Sequence, residues 1–113
     1  MPRHWTKAEK EHREFVRGLG CLVSGEANPT IHHVTGYADR MGRFSPNNRW
    51  IVPLAKRFHQ KVWDPSASNP ISVEGLSHRG FYEKHGIDLF AEALRLEEVS
   101  MRDGRLPRRV EAA

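Results

Sequence analysis

Two adjacent histidines, His32 and His33, an asparagine at position 48 and further histidines at 59 and 78 are the residues of this chain best suited to chemistry. Neighbouring side chains on an extended segment point to opposite faces, so His32 and His33 cannot both enter one core. At least one of them is expected to face a cleft. Two or three imidazoles gathered in one place suit a borderline or hard divalent ion. Such an ion polarises a phosphate oxygen and stabilises a leaving alkoxide. An imidazole outside the ligand set, with an unperturbed pKa of about 6.5, takes a proton from water at neutral pH. His4, His12 and His85 stand alone and read as surface or satisfied core histidines.

The surroundings favour a phosphate-rich substrate over a merely solvated face. Between Arg40 and Lys61 the chain carries six basic residues (Arg40, Arg43, Arg49, Lys56, Arg57 and Lys61) and no acid. Charges flanking the histidines can meet backbone phosphates, which gives salt-sensitive and sequence-independent affinity for nucleic acid. Trp50, Phe58 and Trp63 in the same stretch read as core residues, not base-stacking ones.

The elements that must hold these residues follow from local pattern. Thr6 and Glu9 have the spacing of a capping box, and Ala8, His12, Phe15, Val16 and Leu19 then form one semi-apolar face. This predicts a helix over 7–19, closed by Gly18 and Gly20. Cys21 to Gly25 is turn-like. The β-branched residues around His32 and His33 predict a strand over Thr30–Val34, and the Gly, Ser, Pro and Asn content of 36–48 predicts a loop. Arg49–Leu54 reads as a second strand, with Pro53 at its exit or on an edge. A short helix over 55–63, a turn-rich insert over 64–77, a helix over 78–85 and a last helix from Leu89 to Met101, capped by Asp88, complete the order. The expected fold is α+β, a β-loop-β-α unit over about 30–63 flanked by an N-terminal helix and two C-terminal ones.

Length and composition bound the rest. The chain has 113 residues, enough for one small domain, expected over 1–101, with a basic tail over 102–113 expected to be disordered. Lys and Arg number 18 against 14 Asp and Glu, a net charge of +4, and the pI of 9.6 favours an anionic partner. Cys21 is the single cysteine, which excludes a disulfide framework and any zinc site needing two cysteines from this chain. No apolar run approaches the roughly 20 residues of a membrane-spanning helix, and the first residues lack the apolar core of a secretory signal. These features predict a soluble, cytoplasmic protein without membrane association.

Ile31-His32-His33-Val34, Asn48, the run Ile51-Val52-Pro53-Leu54-Ala55 and His59 together resemble an HNH nuclease of the ββα-metal class. From Thr6-Lys7-Ala8-Glu9 through Leu19-Gly20-Cys21 to Gly86 and Asp88, the chain is more specifically similar to the recombination enhancement function nucleases of phages and prophages, a family described as RecA-dependent. The resemblance implies a bacterial host cell, DNA as substrate and a RecA filament as partner. It assigns His33 as general base, His32 and His59 as metal ligands, and His78 as a residue completing the metal shell. Asn48 matches the middle residue of the motif, which ties down the connecting loop. Mg²⁺ or Mn²⁺ is the implied cofactor, with Zn²⁺ the alternative at the same site. In-line attack in this class leaves 5′-phosphate and 3′-hydroxyl ends.

One departure separates this chain from that family. Where family members commonly carry a Cys-x-x-Cys pair before the histidines and a Cys-x-x-His pair at the start of the helix for a structural zinc, this sequence has Cys21 with Ser24, and Ala55 with Phe58. Three of four ligands are replaced, so no structural zinc is expected and Cys21 is expected to be a buried thiol. The leading expectation is thus a metal-dependent DNA endonuclease. The alternative is a catalytically silent DNA-binding recombination accessory on the same fold, and a third is a metal-binding regulatory domain.

Overall fold

The computed structural model describes residues 5–34 and 48–108. Helix α1 (Lys7–Gly18) begins where the capping box requires: the Thr6 hydroxyl accepts from Glu9 N–H, and the Glu9 carboxylate accepts from Thr6 N–H. Strands β1 (Thr30–His33) and β2 (Ile51–Leu54) pair antiparallel as a two-stranded sheet, with His32 opposite Val52 and His33 opposite Ile51. Helix α2 (Lys56–His59) follows at once, then a 3-10 turn (Lys61–Trp63), helix α3 (Val73–His85) and helix α4 (Leu89–Arg102). Among the described residues this is a small α+β domain of four helices and one two-stranded sheet. No helix among them is long and apolar enough to cross a membrane.

All four residues of β2 are buried, and the strand packs on both α1 and α4. Val16, Ile51, Val52, Leu54, Phe81, Leu89, Ala93 and Leu96 form the centre of the core. Strand β1 is only half-buried along its length, so its side chains are available to a cleft. Pro53 sits inside the paired register, opposite Ile31, where its missing N–H is tolerated because a two-stranded sheet has only edges.

Several expected boundaries shift for physical reasons. The helix expected over 55–63 breaks at Gln60, whose backbone is extended, and Lys61 N–H is taken by the Glu74 carboxylate instead of a helical carbonyl. Helix α3 starts earlier than expected because Ser72 caps it, accepting from Gly75 N–H; it kinks at Ser77, which has a φ of 65°. Asp64 organises the preceding insert by accepting from the N–H groups of Ser66, Ile71 and Ser72. These bonds overcome the cost of its burial and hold its carboxyl down at about 2. Trp63 is a correction: it is exposed on the 3-10 turn, with the Lys56 ammonium over its ring, and contributes nothing to the core.

The chain also stays packed past the expected boundary at Met101. Leu106 is buried, Arg105 and Leu106 N–H both donate to the Ser100 carbonyl, and the Arg105 guanidinium lies over Phe15. An apolar leucine after a tight turn is enough to fold this part of the basic segment back onto the domain. The remainder of the expected tail, 109–113, and the loop residues 35–47, including Arg40 and Arg43, lie outside the described residues, as does His4.

Candidate active site

Strand alternation divides the key residues of β1 between two faces. Thr30 and His32 share one, and Ile31 and His33 the other. On the first face His32 meets His59 from α2 and His78 from α3, with ring centroids 5.0 and 5.3 Å away. Three imidazoles from three elements, separated by up to 46 positions in the chain, are thereby packed edge to face.

Their protonation follows from their partners. The single proton of the Thr30 hydroxyl goes to the Leu54 carbonyl at 2.6 Å, which cannot donate. The 2.7 Å contact between Thr30 Oγ1 and His59 Nδ1 must then be an N–H of His59 donating to the hydroxyl oxygen. His59 accordingly holds its lone pair on Nε2, the arrangement that a hydrogen-bonded partner imposes on a metal-ligating histidine. Burial pushes His59 and His78 below the ordinary imidazole range. It acts most on His32, where, joined by repulsion from His59, His78 and His33, it lowers the pKa to about 3. His32 is therefore neutral at physiological pH, the form in which an imidazole binds a metal.

The donor chemistry suits a divalent ion in part. His32 Nε2 and His78 Nε2 lie 3.0 Å apart, joined by one hydrogen bond. That is the separation of two ligands binding one ion at about 2.1 Å with a near-right angle between the bonds. Among the described residues, however, no group of three or more His, Cys, Asp or Glu side chains is arranged to hold a metal ion. His32 and His78 are the pair that comes nearest to ligand geometry, with the His59 ring beside them.

On the other face, His33 Nε2 lies 2.9 Å from Asn48 Oδ1, and the Trp5 ring packs against the imidazole at 5.4 Å between centroids. Asn48 itself is buried. His33 and Asn48 are thus brought together, as are His32, His59 and His78, and His33 acts on His32 and His59 by through-space repulsion.

The basic candidates separate into different roles. Lys56 and Lys61 are exposed. Arg57 forms an ion pair with Glu26 through both terminal nitrogens. Arg49 is half-buried and engaged within the domain: its Nε donates to buried Glu97 and its Nη2 to the Pro107 carbonyl. These contacts tie the segment entering β2 to α4 and the chain that follows it.

Of the isolated histidines, the described His12 and His85 are satisfied. His12 is wholly buried and bridges Ser100 Oγ at 2.6 Å and the Arg49 carbonyl at 3.1 Å. His85 meets the Ile71 carbonyl at 2.9 Å and packs on Phe81. Cys21, Ala55 and Phe58 belong to one buried cluster. Burial pushes the Cys21 thiol up, but hydrogen bonds from the Ser24 side chain and the backbone of Ala55, Ser24 and Val23 outweigh it and hold the thiol below its usual value.

Sequence reasoning missed Thr30 and Glu9. Thr30 lies two residues before His32 and hence on the same strand face, a signal that could have found it. Glu9 was legible as a helix cap, but its contact with Asn48, 39 positions away, was not. No family model, curated protein or solved structure matches the chain.

Proposed function

We propose that this protein is a metal-dependent endonuclease that hydrolyses DNA phosphodiester bonds with a histidine base, on the plan of the HNH nucleases its sequence resembles. The observation that supports this most is the convergence of His32, His59 and His78 from three elements beside a fourth histidine, His33, that is separately held by Asn48. Burial penalises the charged form of all three imidazoles, and their proximity adds to this at His32, which favours the neutral form in which a histidine binds a metal.

In this reading His32, His59 and His78 hold a divalent ion, Mg²⁺ or Mn²⁺ by preference and Zn²⁺ as the alternative. Bound there, the ion supplies charge stabilisation for the phosphate and the leaving 3′ oxygen. His33 takes the proton from the attacking water, and Asn48 holds its ring. Thr30 keeps the His59 lone pair on Nε2. Exposed Lys56 and Lys61, which flank His59 in the chain, contribute phosphate contacts. A RecA filament is the partner that the family likeness suggests.

The test is nicking of supercoiled plasmid in Mg²⁺ or Mn²⁺, with and without RecA and ATP. Wild type is expected to nick and His33→Ala to lose at least about 100-fold in rate, the low end of what a general base supplies. If neither protein cuts but both shift DNA in a salt-dependent way, the silent accessory reading replaces this one.

A further inference from the structure

We propose that Glu9 is a positioning residue for the base: acting through Asn48, it selects the Nε2–H tautomer of His33 and so places the reactive lone pair on Nδ1. The proposal rests on the reading of His33 as general base, but its central claim concerns hydrogen positions that can be measured independently.

At the N-terminus of α1, Glu9 Oε1 accepts from Thr6 N–H at 2.8 Å and lies 3.4 Å from Asn48 Nδ2. A carboxylate only accepts, whereas an amide group offers a donor edge and an acceptor edge. Asn48 must therefore turn its NH₂ towards Glu9, because the flipped amide would set its oxygen against the carboxylate. With the NH₂ so placed, Oδ1 faces His33 Nε2 at 2.9 Å. An amide oxygen cannot donate, so the hydrogen in that contact belongs to Nε2, and the neutral ring has its lone pair on Nδ1.

Two features make this an ordered chain. Asn48 is buried, so water does not compensate an inverted amide. The His33 ring packs against Trp5, immediately before Thr6, so the same helix start that presents Glu9 also presents a wall for the imidazole. The cap of α1 thus has a second use. It satisfies backbone donors, as any capping box does, and it sets the polarity of an Asn–His pair on another part of the chain.

The experiment reads the His33 tautomer from long-range proton–nitrogen correlations of the imidazole in metal-free protein at pH 8. Wild type is expected to show a pyrrole-type Nε2 and a pyridine-type Nδ1. Glu9→Ala is expected to mix the two tautomers. Glu9→Gln keeps the cap, since glutamine serves at this position, but can present either edge to Asn48; it too is expected to mix them, and it carries the test if Glu9→Ala does not fold. Thr6→Ala removes the other half of the cap while leaving the backbone donor to Glu9, so it is expected to lower thermal stability without altering the tautomer. A wild-type His33 protonated on Nδ1, or an unchanged Nε2–H signature in both Glu9 variants, overturns the proposal. Plasmid nicking by wild type is scored in parallel: its absence refutes the nuclease reading and leaves the tautomer result standing.

Discussion

Arg49 and Glu97 form an ion pair whose acceptor is wholly buried, with Arg49 Nε donating to Glu97 Oε2 at 2.6 Å. Trp50 Nε1 donates to the other carboxylate oxygen at 3.1 Å, so both lone-pair edges of Glu97 are engaged from the segment entering β2. Removing one partner of a buried pair strands the other without water. Glu97→Ala is expected to lower unfolding free energy by about 3–5 kcal/mol, measured by urea denaturation. Arg49→Ala should likewise act on stability and leave the salt dependence of DNA binding unchanged. A shallower salt slope in that variant would restore Arg49 as a phosphate ligand.

The exposed lysines carry the opposite expectation. Removing one cation that neutralises a phosphate makes the slope of log affinity against log salt shallower by about 0.9. Lys56→Ala with Lys61→Ala should therefore weaken DNA binding and flatten the slope by about two, with little change in melting temperature. Titrations of labelled duplex between low and moderate salt check this.

Thr30 offers a test of the imidazole cluster. Thr30→Val removes the hydroxyl with little change in shape, freeing the His59 tautomer. Losing such an outer partner typically costs 10–100-fold in metal affinity. Calorimetric titration with Mn²⁺ is expected to show that loss in Thr30→Val and near wild-type binding in Thr30→Ser. Equal affinity in all three proteins would remove Thr30 from the site.

His12 predicts an acid sensitivity. Its folded pKa is lowered, chiefly by burial, from an unfolded value of 6.5. The unfolded chain then binds more protons, so stability rises with pH. The stabilisation is fully present above about pH 6.5 and is lost as pH falls towards the lowered folded value. His12→Gln keeps a donor and an acceptor for the Arg49 carbonyl and Ser100. Its stability deficit against wild type, read from urea midpoints between pH 8 and pH 5, is expected to shrink on acidification. A constant deficit contradicts the assignment.

The start of α1, the strand pair and the capped start of α4 were legible because each depends on neighbours in the chain: Thr6 with Glu9, β-branched residues around His32, Asp88 with Ala91. So was the division of His32 and His33 between two faces, which strand geometry requires of any adjacent pair. The break at Gln60 was not, because it depends on Glu74 reaching Lys61 from another element. Nor was the fate of Trp63, whose burial depended on whether a helix or a 3-10 turn presented it.

By itself, the sequence determined which residues are able to do chemistry here, since imidazoles, an amide and a run of cations are matters of residue type and spacing. Only the tertiary structure decided what each one faces. It turned Arg49 inward to Glu97, paired Arg57 with Glu26 and joined His78 to His32 across 46 positions. Hydrogen-bond polarity and desolvation belong to partners in space. A charge that reads as free in the chain becomes a fixed contact once a complementary group meets it in space.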